Sequence, residues 1–277
     1  MKLKKLLATG LAAIMVMGLV GCSSSKGSES TESTDKLQQI KDAGVLKVGT
    51  SAEYSPYEFH KVVDGEDKIV GFDDFVVQEI AKDMGVKVEY EDMDFDGLLG
   101  ALQADKVDIV LAGMTPDEKR RKSVDFSEIY YTNSNVCIVA KGKEDTIKKS
   151  EDLKDLKVGV QKGTTQADYV TNTLGISDAT QLKKIPDLML ELQNGKIDVI
   201  VTGKAVAEIN VKKYDNIAIG NTTVGDEVAE TAAAAIKKSG KGVDNTSFIK
   251  SVNDTIKRLQ DSGDMDKYMQ EALKLAE

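Results

Sequence analysis

One segment of the sequence carries the residue types that hold a small carboxylate. An apolar stretch that predicts a strand ends at Gly113, Thr115 follows it, and Arg120 comes five positions after Thr115. Pro116 suits the first turn of a helix, and Arg120 would lie in the same helix. A guanidinium in that place holds a carboxylate through two parallel hydrogen bonds. The alternative is that residues 119–122, which read KRRK, form a solvated basic patch.

A second segment has the pattern of a strand, a glycine turn and a helix start. It reads VGVQKGTT over residues 158–165 and contains Gln161, Thr164 and Thr165. Free N–H groups at the start of a helix bind an anion readily. Thr164 would serve equally well as an ordinary N-cap, so both interpretations stay open.

The loop after the first predicted strand is a third candidate, reading SAEYSPYEF over residues 51–59. Tyr54 and Phe59 are suited to sandwich a ligand side chain, and aromatic residues make up only 5% of the sequence. The alternative is that these rings pack on the core. Asp73 and Asp96 look like helix N-caps, which is a structural role.

Composition excludes several classes of function. The chain of 277 residues has 37 Lys and Arg against 46 Asp and Glu, a net charge of -9, which argues against a nucleic-acid partner. With one histidine, His60, a multi-histidine metal site is impossible, and a catalytic triad would have to use that residue. We expect no cofactor and no metal. Cys137 lies in an apolar strand pattern and is predicted to be a buried structural thiol.

The N-terminal residues 1–21 have the pattern of a secretory signal peptide. Three lysines precede the apolar run Leu6–Val20, and the sequence LVGC ending at Cys22 looks like a bacterial lipobox. The alternative, a membrane anchor helix, needs about 20 apolar residues, more than this run provides. We therefore expect lipidation of Cys22. Residues 22–34 are Ser-rich and predict a disordered tether to a body that begins near Asp35.

Along the body, β-like apolar runs alternate with amphipathic helical segments, which predicts an α/β fold with mainly parallel sheets. The predicted strands span residues 45–50, 86–90, 107–111, 136–139, 157–160 and 197–201. The predicted helices include a segment ending at Gly85, residues 97–104 and 116–122, segments starting at 164 and 187, and residues 244–261 and 264–276.

The sequence also contains an internal repeat. Residues 98–113 read LLGALQADKVDIVLAG and residues 188–203 read LMLELQNGKIDVIVTG, with six of sixteen positions identical. Any βα protein repeats a helix, a turn and a strand, which is one explanation. The other is two lobes of like topology, whose strand ends would face each other across a ligand cleft.

Several blocks together resemble the family 3 extracellular solute-binding proteins, the polar-amino-acid receptors of ABC importers. They read VGTSAEYSPYEF, IVGFDDFVVQEIAKDMGVKVE, FDGLLGALQADKVDIVLAGMT, KSVDFSEIYY and LKVGVQKGTTQADY, and the resemblance runs from about Val45 to the C-terminus. It implies an α/β, two-lobed, type II periplasmic-binding-protein-like fold with two crossover strands and a ligand cleft between the lobes. The implied boundaries are 35–132 with 231–277 for lobe 1, and 133–230 for lobe 2.

The resemblance also implies roles for single residues. Arg120 would clamp the α-carboxylate of an amino acid, and the Gly113 carbonyl would accept from its α-ammonium. The remaining ligand-binding residues implied or predicted are Thr115, Thr164 and Thr165 beside the carboxylate, Tyr54 and Phe59 over the side chain, Gln161 in the second lobe, and Ser51 at the side-chain specificity position.

One position departs from the family pattern. Members usually carry Asp or Glu five residues beyond the Asp that matches Asp198, where this chain has Gly203. That carboxylate normally pairs with the α-ammonium, and a buried unpaired ammonium is costly. Either another acid replaces it, for which Glu53 is the candidate, or the ligand lacks a standard α-ammonium.

The expected function is therefore a substrate-binding lipoprotein that captures a small amino acid, or a related zwitterion or carboxylate, and delivers it to an ABC permease by hinge closure. We expect a monomer without catalytic residues, anchored on the extracellular face of a bacterial, Gram-positive-type membrane. The alternatives are a ligand sensor without transport and a dehydratase-like enzyme on the same fold, which would need a proton donor in the cleft.

Overall fold

The protein was analysed as a computed structural model that describes residues 34–225, 229–240 and 242–277. The predicted signal peptide 1–21, the predicted lipidation site Cys22 and all but the last residue of the predicted tether lie outside the described residues.

The strands of the described residues alternate with helices, as predicted. The strands are β1 Thr34–Asp35, β2 Val45–Thr50, β3 Glu53–Tyr54, β4 Glu58–Val63, β5 Glu66–Val70, β6 Lys87–Asp92, β7 Ile109–Val110, β8 Val124–Asn133, β9 Asn135–Ala140, β10 Val158–Gln161, β11 Thr180–Leu182, β12 Val199–Gly203, β13 Ile217–Thr223, β14 Glu230–Lys237 and β15 Val243–Asp244. The α-helices are α1 Lys36–Ala43, α2 Phe72–Met84, α3 Leu98–Gln103, α4 Glu118–Arg121, α5 Thr165–Asp168, α6 Ile185–Gln193, α7 Lys204–Val211, α8 Thr246–Ser262 and α9 Asp264–Ala276. Short 3-10 turns span Phe95–Gly97 and Ser150–Asp155, and a π-helical turn spans Tyr169–Thr173.

Two five-stranded sheets organise the body. Their strand orders are β6-β2-β7-β14-β8 and β11-β10-β12-β9-β13. We call the first sheet with its helices lobe 1 and the second lobe 2. The chain passes from lobe 1 to lobe 2 between β8 and β9 and returns between β13 and β14. The predicted lobe boundaries, 132/133 and 230/231, are kept as a proposal, while Asn133 and Glu230 are described below with lobe 1, whose strands β8 and β14 contain them.

The sheets are less parallel than predicted. β6, β2 and β7 are parallel in lobe 1, as are β11, β10 and β12 in lobe 2. The strands that enter from the other lobe, β14 and β9, instead pair antiparallel with both neighbours. Parallel neighbours need a crossover connection, usually helical, whereas a chain that arrives from the other lobe has no such requirement.

The internal repeat corresponds to matching hydrogen bonds in the two lobes. The Asp108 carboxylate accepts from the backbone N–H of Lys47 at 2.9 Å, and the Asp198 carboxylate accepts from that of Lys157 at 2.9 Å. In each lobe, an aspartate just before the repeat's strand therefore binds the neighbouring parallel strand near its start. The lobes thus share one local topology.

A second repeated feature is a glycine in the strand beside each repeat. A Cβ at Gly159 would lie 2.6 Å from Ile197 and 2.9 Å from Leu188, and one at Gly49 would lie 3.2 Å from Val107. The glycines therefore let the helix and the strand of each repeat pack directly on the neighbouring strand.

Most predicted helices lie within a few residues of their observed bounds. Helix α2 ends where Gly85 adopts a left-handed φ of 75°, as the sequence predicted. Helix α4 starts later than predicted: Asp117 is its N-cap and accepts from the Arg120 N–H, so Pro116 lies outside the helix. Cys137 is fully buried, as predicted. No helix among the described residues has both the length and the apolar character needed to cross a bilayer.

Candidate functional site

A small cavity lies between the lobes and is lined by residues of both. Seven of the ten predicted ligand-binding residues line it. The lining residues are Tyr54, Phe95, Ala112, Gly113, Thr115, Arg120 and Glu230 from lobe 1, and Gln161, Thr164, Thr165 and Gln166 from lobe 2.

Arg120 links the two lobes inside this cavity. Its side chain is 9% exposed; Nη1 donates to the Thr115 carbonyl at 2.6 Å and Nη2 donates to the Gly163 carbonyl at 2.9 Å. Each terminal nitrogen carries two N–H groups, so each keeps a second one for an anion. Burial lowers the pKa of Arg120, while Asp117 acts in the opposite direction. An arginine nevertheless stays charged in proteins.

The predicted anion-binding turn of lobe 2 is built around a threonine cap. The Thr164 hydroxyl accepts from the Ala167 N–H at 3.1 Å and donates to the Gln161 carbonyl at 2.7 Å. Thr164 is thus an N-cap, the ordinary one of the two interpretations. Thr165 follows as the first residue of α5 and also lines the cavity. Gly163 is left-handed at φ 80°, and a Cβ there would lie 2.9 Å from a lobe 1 side chain, that of Asp96.

The loop between β7 and α4 is fixed by its own hydrogen bonds. The Thr115 hydroxyl donates to the Thr231 carbonyl at 2.9 Å and accepts from the Thr231 N–H at 3.2 Å. Gly113 has a left-handed φ of 54°, and a Cβ there would lie 3.3 Å from the Tyr54 ring. The loop therefore holds Arg120 and the Gly113 backbone in one rigid frame beside Tyr54.

A buried acid that the sequence analysis missed lies in the same cavity. Glu230 is 2% exposed; Oε1 accepts from the Tyr54 hydroxyl at 2.7 Å and Oε2 accepts from the Tyr57 hydroxyl at 3.3 Å. Burial raises the pKa of Glu230 to about 7, although both tyrosine hydrogen bonds lower it. A sequence signal existed, because Glu230 is the only charged residue in the apolar run ETAAAAI, residues 230–236.

Glu230 lies against the position that departs from the family pattern. A Cβ at Gly203 would lie 1.9 Å from Oε1 of Glu230 and 2.2 Å from Oε2. Gly203 pairs with Asn135 on β9, and Glu230 pairs with Asn133 on β8, on either side of the first connection between the lobes. The Glu230 carboxylate thus occupies the space beside Gly203 that a side chain there would need.

The acid that the sequence analysis proposed as the replacement, Glu53, does not line this cavity. Its carboxylate forms an ion pair with Lys184 at 2.9 Å, and both side chains are partly exposed. In this structure Glu230, and not Glu53, lies beside Gly203 in the cavity. Glu53 is adjacent to Tyr54 in the sequence, whereas Glu230 reaches Tyr54 from 176 residues away.

Two further predictions in the same loop also change. Phe59 follows the buried Glu58 on β4, and alternate strand residues face opposite sides, so its ring is turned away from the side on which Glu58 is buried. Phe59 is absent from the cavity lining, where Phe95 is the second ring with Tyr54. Ser51 is buried but does not line the cavity.

Asp73 is a buried acid behind the Gly113 loop and not the predicted N-cap. The N-cap of α2 is Gly71, while the Asp73 carboxylate accepts from the Gly113 N–H at 2.7 Å and the Tyr130 hydroxyl at 2.9 Å. Burial raises the pKa of Asp73 to about 7. Burial, and then the Asp73 charge, also raises the pKa of the neighbouring Glu58. The loop that presents Gly113 is therefore backed by two acids.

Four exposed ion pairs join the lobes at the edge of the cavity, and we call them the rim pairs. Asp96, predicted as an N-cap, belongs to one of them instead. They are Glu53–Lys184 at 2.9 Å, Asp94–Lys183 at 2.5 Å, Asp96–Lys162 at 2.8 Å and Lys119–Asp168 at 2.9 Å. In three of the four, the acid belongs to lobe 1 and the lysine to lobe 2.

His60, the one candidate for a catalytic triad, lies elsewhere. Its ring contacts Asp67 at 3.0 Å and Asp92 at 3.1 Å, and its side chain is 40% exposed. The hydrogen bond with Asp92 raises the pKa of His60. Within residues 34–225, 229–240 and 242–277, no group of three or more His, Cys, Asp or Glu is arranged to hold a metal ion.

Known proteins resemble this chain over nearly its whole length. The arginine-binding extracellular protein ArtP of Bacillus subtilis is 35% identical over 271 residues, which is 96% of this chain and 96% of that protein. The L-cystine-binding protein TcyJ of Escherichia coli is 31% identical over 265 residues, which is 95% of this chain and 94% of that protein.

A solved structure agrees with this fold. It is the crystal structure of an amino acid ABC transporter substrate-binding protein from Streptococcus pneumoniae bound to L-arginine. The TM-score is 0.81 at 30% identity, with 87% of this chain and 98% of that chain covered. The chain therefore has the two-lobed type II periplasmic-binding-protein fold. A model of the bacterial extracellular solute-binding proteins, family 3, matches residues 46–274. Together these matches establish that the chain belongs to the bacterial extracellular solute-binding proteins of family 3.

Proposed function

We propose that this protein captures an amino acid in the cavity between its lobes and presents it to an ABC permease. The observation that carries this proposal is Arg120, a buried guanidinium that contacts both lobes and keeps N–H groups for an anion. A carboxylate bound there would add contacts in both lobes, which favours the closed arrangement by a shift of population. The arginine-bound and cystine-binding relatives support the same class of ligand.

The proposed contacts follow the cavity lining. Arg120 would hold the α-carboxylate with help from Thr115 and Thr165, and the Gly113 carbonyl would accept from the ammonium group. Tyr54 would cover the ligand side chain together with Phe95, which replaces the predicted Phe59. Gln161 would contact the ligand from lobe 2, while Thr164 would act through its N-cap.

Isothermal titration calorimetry tests this proposal. The soluble protein starting near Ser23 would first be freed of bound ligand by unfolding and refolding, and then titrated with a panel of L-amino acids at pH 8. Micromolar or tighter binding of one of them is expected. If no amino acid binds while a simple carboxylate does, the ligand class is wrong although the cavity is a binding site.

We further propose that Cys22 is acylated and anchors a monomer to the extracellular face of a Gram-positive-type membrane. A basic start, an apolar run and the LVGC sequence support this proposal. Cys22→Ser should release the protein into the culture medium, and mass spectrometry of the wild-type N-terminal peptide should find a diacylglyceryl group.

We also propose that the protein serves transport and does not catalyse a reaction. The lining of the cavity does not include His60. Uptake of a radiolabelled ligand by cells with and without the gene distinguishes a transport receptor from a sensor. Incubation with prephenate or arogenate, with product followed by absorbance, should give no conversion.

A further inference from the structure

Glu230 is a buried acid without a cationic partner in the part of the chain that the structure describes. Its two hydrogen bonds come from the hydroxyl groups of Tyr54 and Tyr57, which are neutral donors. No Lys or Arg of the described residues forms an ion pair with it. A buried carboxylate is unfavourable unless a positive charge compensates it. The site therefore favours a ligand that brings its own positive charge.

The groups packed around Glu230 supply no positive charge either. The groups that act on it from the packed elements are acids and tyrosines: Tyr54 from β3, Tyr57 from the following loop, Glu58 from β4, Asp73 from α2 and Tyr131 from β8. On the side of β12, Gly203 contributes no charge. The only guanidinium that lines the cavity is that of Arg120. A molecule with one carboxylate and one ammonium group would match these two charges.

We propose that Glu230 receives the α-ammonium group of the ligand, in place of the acid that the family usually carries at the position of Gly203. This inference rests on the proposed function, namely that the ligand is an amino acid held by Arg120. The two residues then compensate for each other. Glycine at position 203 leaves room for the Glu230 carboxylate, which comes from β14.

Pairs of ligands that differ only in the ammonium group test this role. We would titrate L-glutamine against glutaramic acid and L-arginine against 5-guanidinopentanoic acid, by calorimetry at pH 8. For the pair whose amino acid binds, the wild-type protein should prefer the amino acid by about 100-fold or more, as expected when a buried charged group loses its partner. Glu230→Gln should abolish that preference and change the affinity for the des-amino compound by less than about threefold.

A carboxylate moved back to position 203 provides the matched rescue. In the double variant Gly203→Asp with Glu230→Ala, the aspartate gains the space that Glu230 vacates, and the preference for the amino acid should return. Glu230→Ala alone should lack the preference. Thermal melting of each variant identifies any that fails to fold, and Glu230→Gln keeps the shape of the side chain.

The outcomes separate the two proposals. An unchanged preference in Glu230→Gln overturns the role of Glu230 and leaves amino acid binding intact. If both wild-type pairs bind without a preference, or if only the des-amino compounds bind, the ligand does not use an ammonium group and the role of Glu230 is also overturned. If no compound of either pair binds the wild-type protein, the proposed function fails for these two amino acids, and with it the ammonium role of Glu230 toward them.

Discussion

The inside of the cleft and its rim both contain charged side chains, but in opposite surroundings. Inside, Arg120 is 8% exposed and Glu230 is 2% exposed, and the two lie in one cavity. At the rim, the side chains of the four ion pairs are 27–76% exposed. Water and salt screen the rim pairs, whereas charges inside the cavity interact strongly.

We therefore expect the buried charges to determine which ligand binds, and the rim pairs to act on closure of the lobes. A desolvated charge discriminates between ligands, because a ligand without the matching group leaves it unpaired. An exposed ion pair contributes only about 0–1 kcal/mol, so the rim pairs cannot specify a ligand. They join opposite lobes, however, so we expect them together to favour the closed arrangement.

The largest expected effect comes from removing the interior cation. Arg120→Ala should weaken amino acid binding by about 2–5 kcal/mol, because one partner of a buried charged pair is lost. Arg121→Ala is the matched control, since the neighbouring arginine is exposed and does not line the cavity. Calorimetry should find its affinity within twofold of wild type. Equal losses in both variants would instead support the solvated basic patch that the sequence left open.

Binding should weaken at acidic pH because Glu230 becomes protonated. Burial raises the pKa of Glu230 to about 7, so its carboxylate is protonated at lower pH and no longer attracts an ammonium group. The dissociation constant should rise about tenfold for each unit below pH 7 and stay flat above it. Asp73 has a pKa of about 7 as well, so Glu230→Gln is the control. A slope that persists in this variant would assign the effect to Asp73.

The stability of the ligand-free protein should fall as the pH rises. The pKa of Glu230 is about 7 in the folded state, against about 4.3 in an unfolded chain. Between these values the folded protein binds more protons than the unfolded one, so the unfolding free energy decreases with pH, by about 4 kcal/mol at most. Urea unfolding of Glu230→Gln from pH 4 to 8 should give a shallower slope. Parallel slopes would contradict the raised pKa.

The smallest effect is expected at the rim. Exchange of the three lobe 2 rim lysines for glutamine should lower affinity by about threefold to tenfold in low salt and by less in 0.5 M NaCl, since exposed pairs are weak and screened. The exchanged residues are Lys162, Lys183 and Lys184. The control exchanges three lysines, each of which pairs with an acid on its own helix: Lys250, Lys257 and Lys267. Small-angle scattering should find the rim variant more open and the control unchanged. An affinity of the rim variant equal to that of the control would disprove a role in closure.

The sequence predicted those parts of the molecule that depend on local pattern. Helices α8 and α9 and strand β2 follow from their periodicity and their flanking residues. Arg120 contacts Thr115, as their spacing indicated, because only Pro116, the N-cap Asp117 and the first two residues of α4 separate them. The repeat predicted two like lobes, because each copy packs on its own neighbouring strand.

The remaining features depend on contacts between distant segments. Glu230 reaches Tyr54 across 176 residues, and no local pattern states that the start of β14 lies against the end of β12. Phe59 does not line the cavity, because alternation along β4 turns it away from the side on which its neighbour Glu58 is buried. Asp73 looked like an N-cap because an acid near a helix start often is one, but here it lies buried behind Gly113.

The location of Glu230 also bears on the order of two events, ligand contact and closure of the lobes. Gly203 and Glu230 pair with residues on either side of Ser134, where the chain passes between the lobes. Points near such a connection act as a pivot, and they move least when the lobes rotate. If Glu230 receives the ammonium group, as proposed, that contact lies at the pivot, and closure of the lobes would complete the site around it.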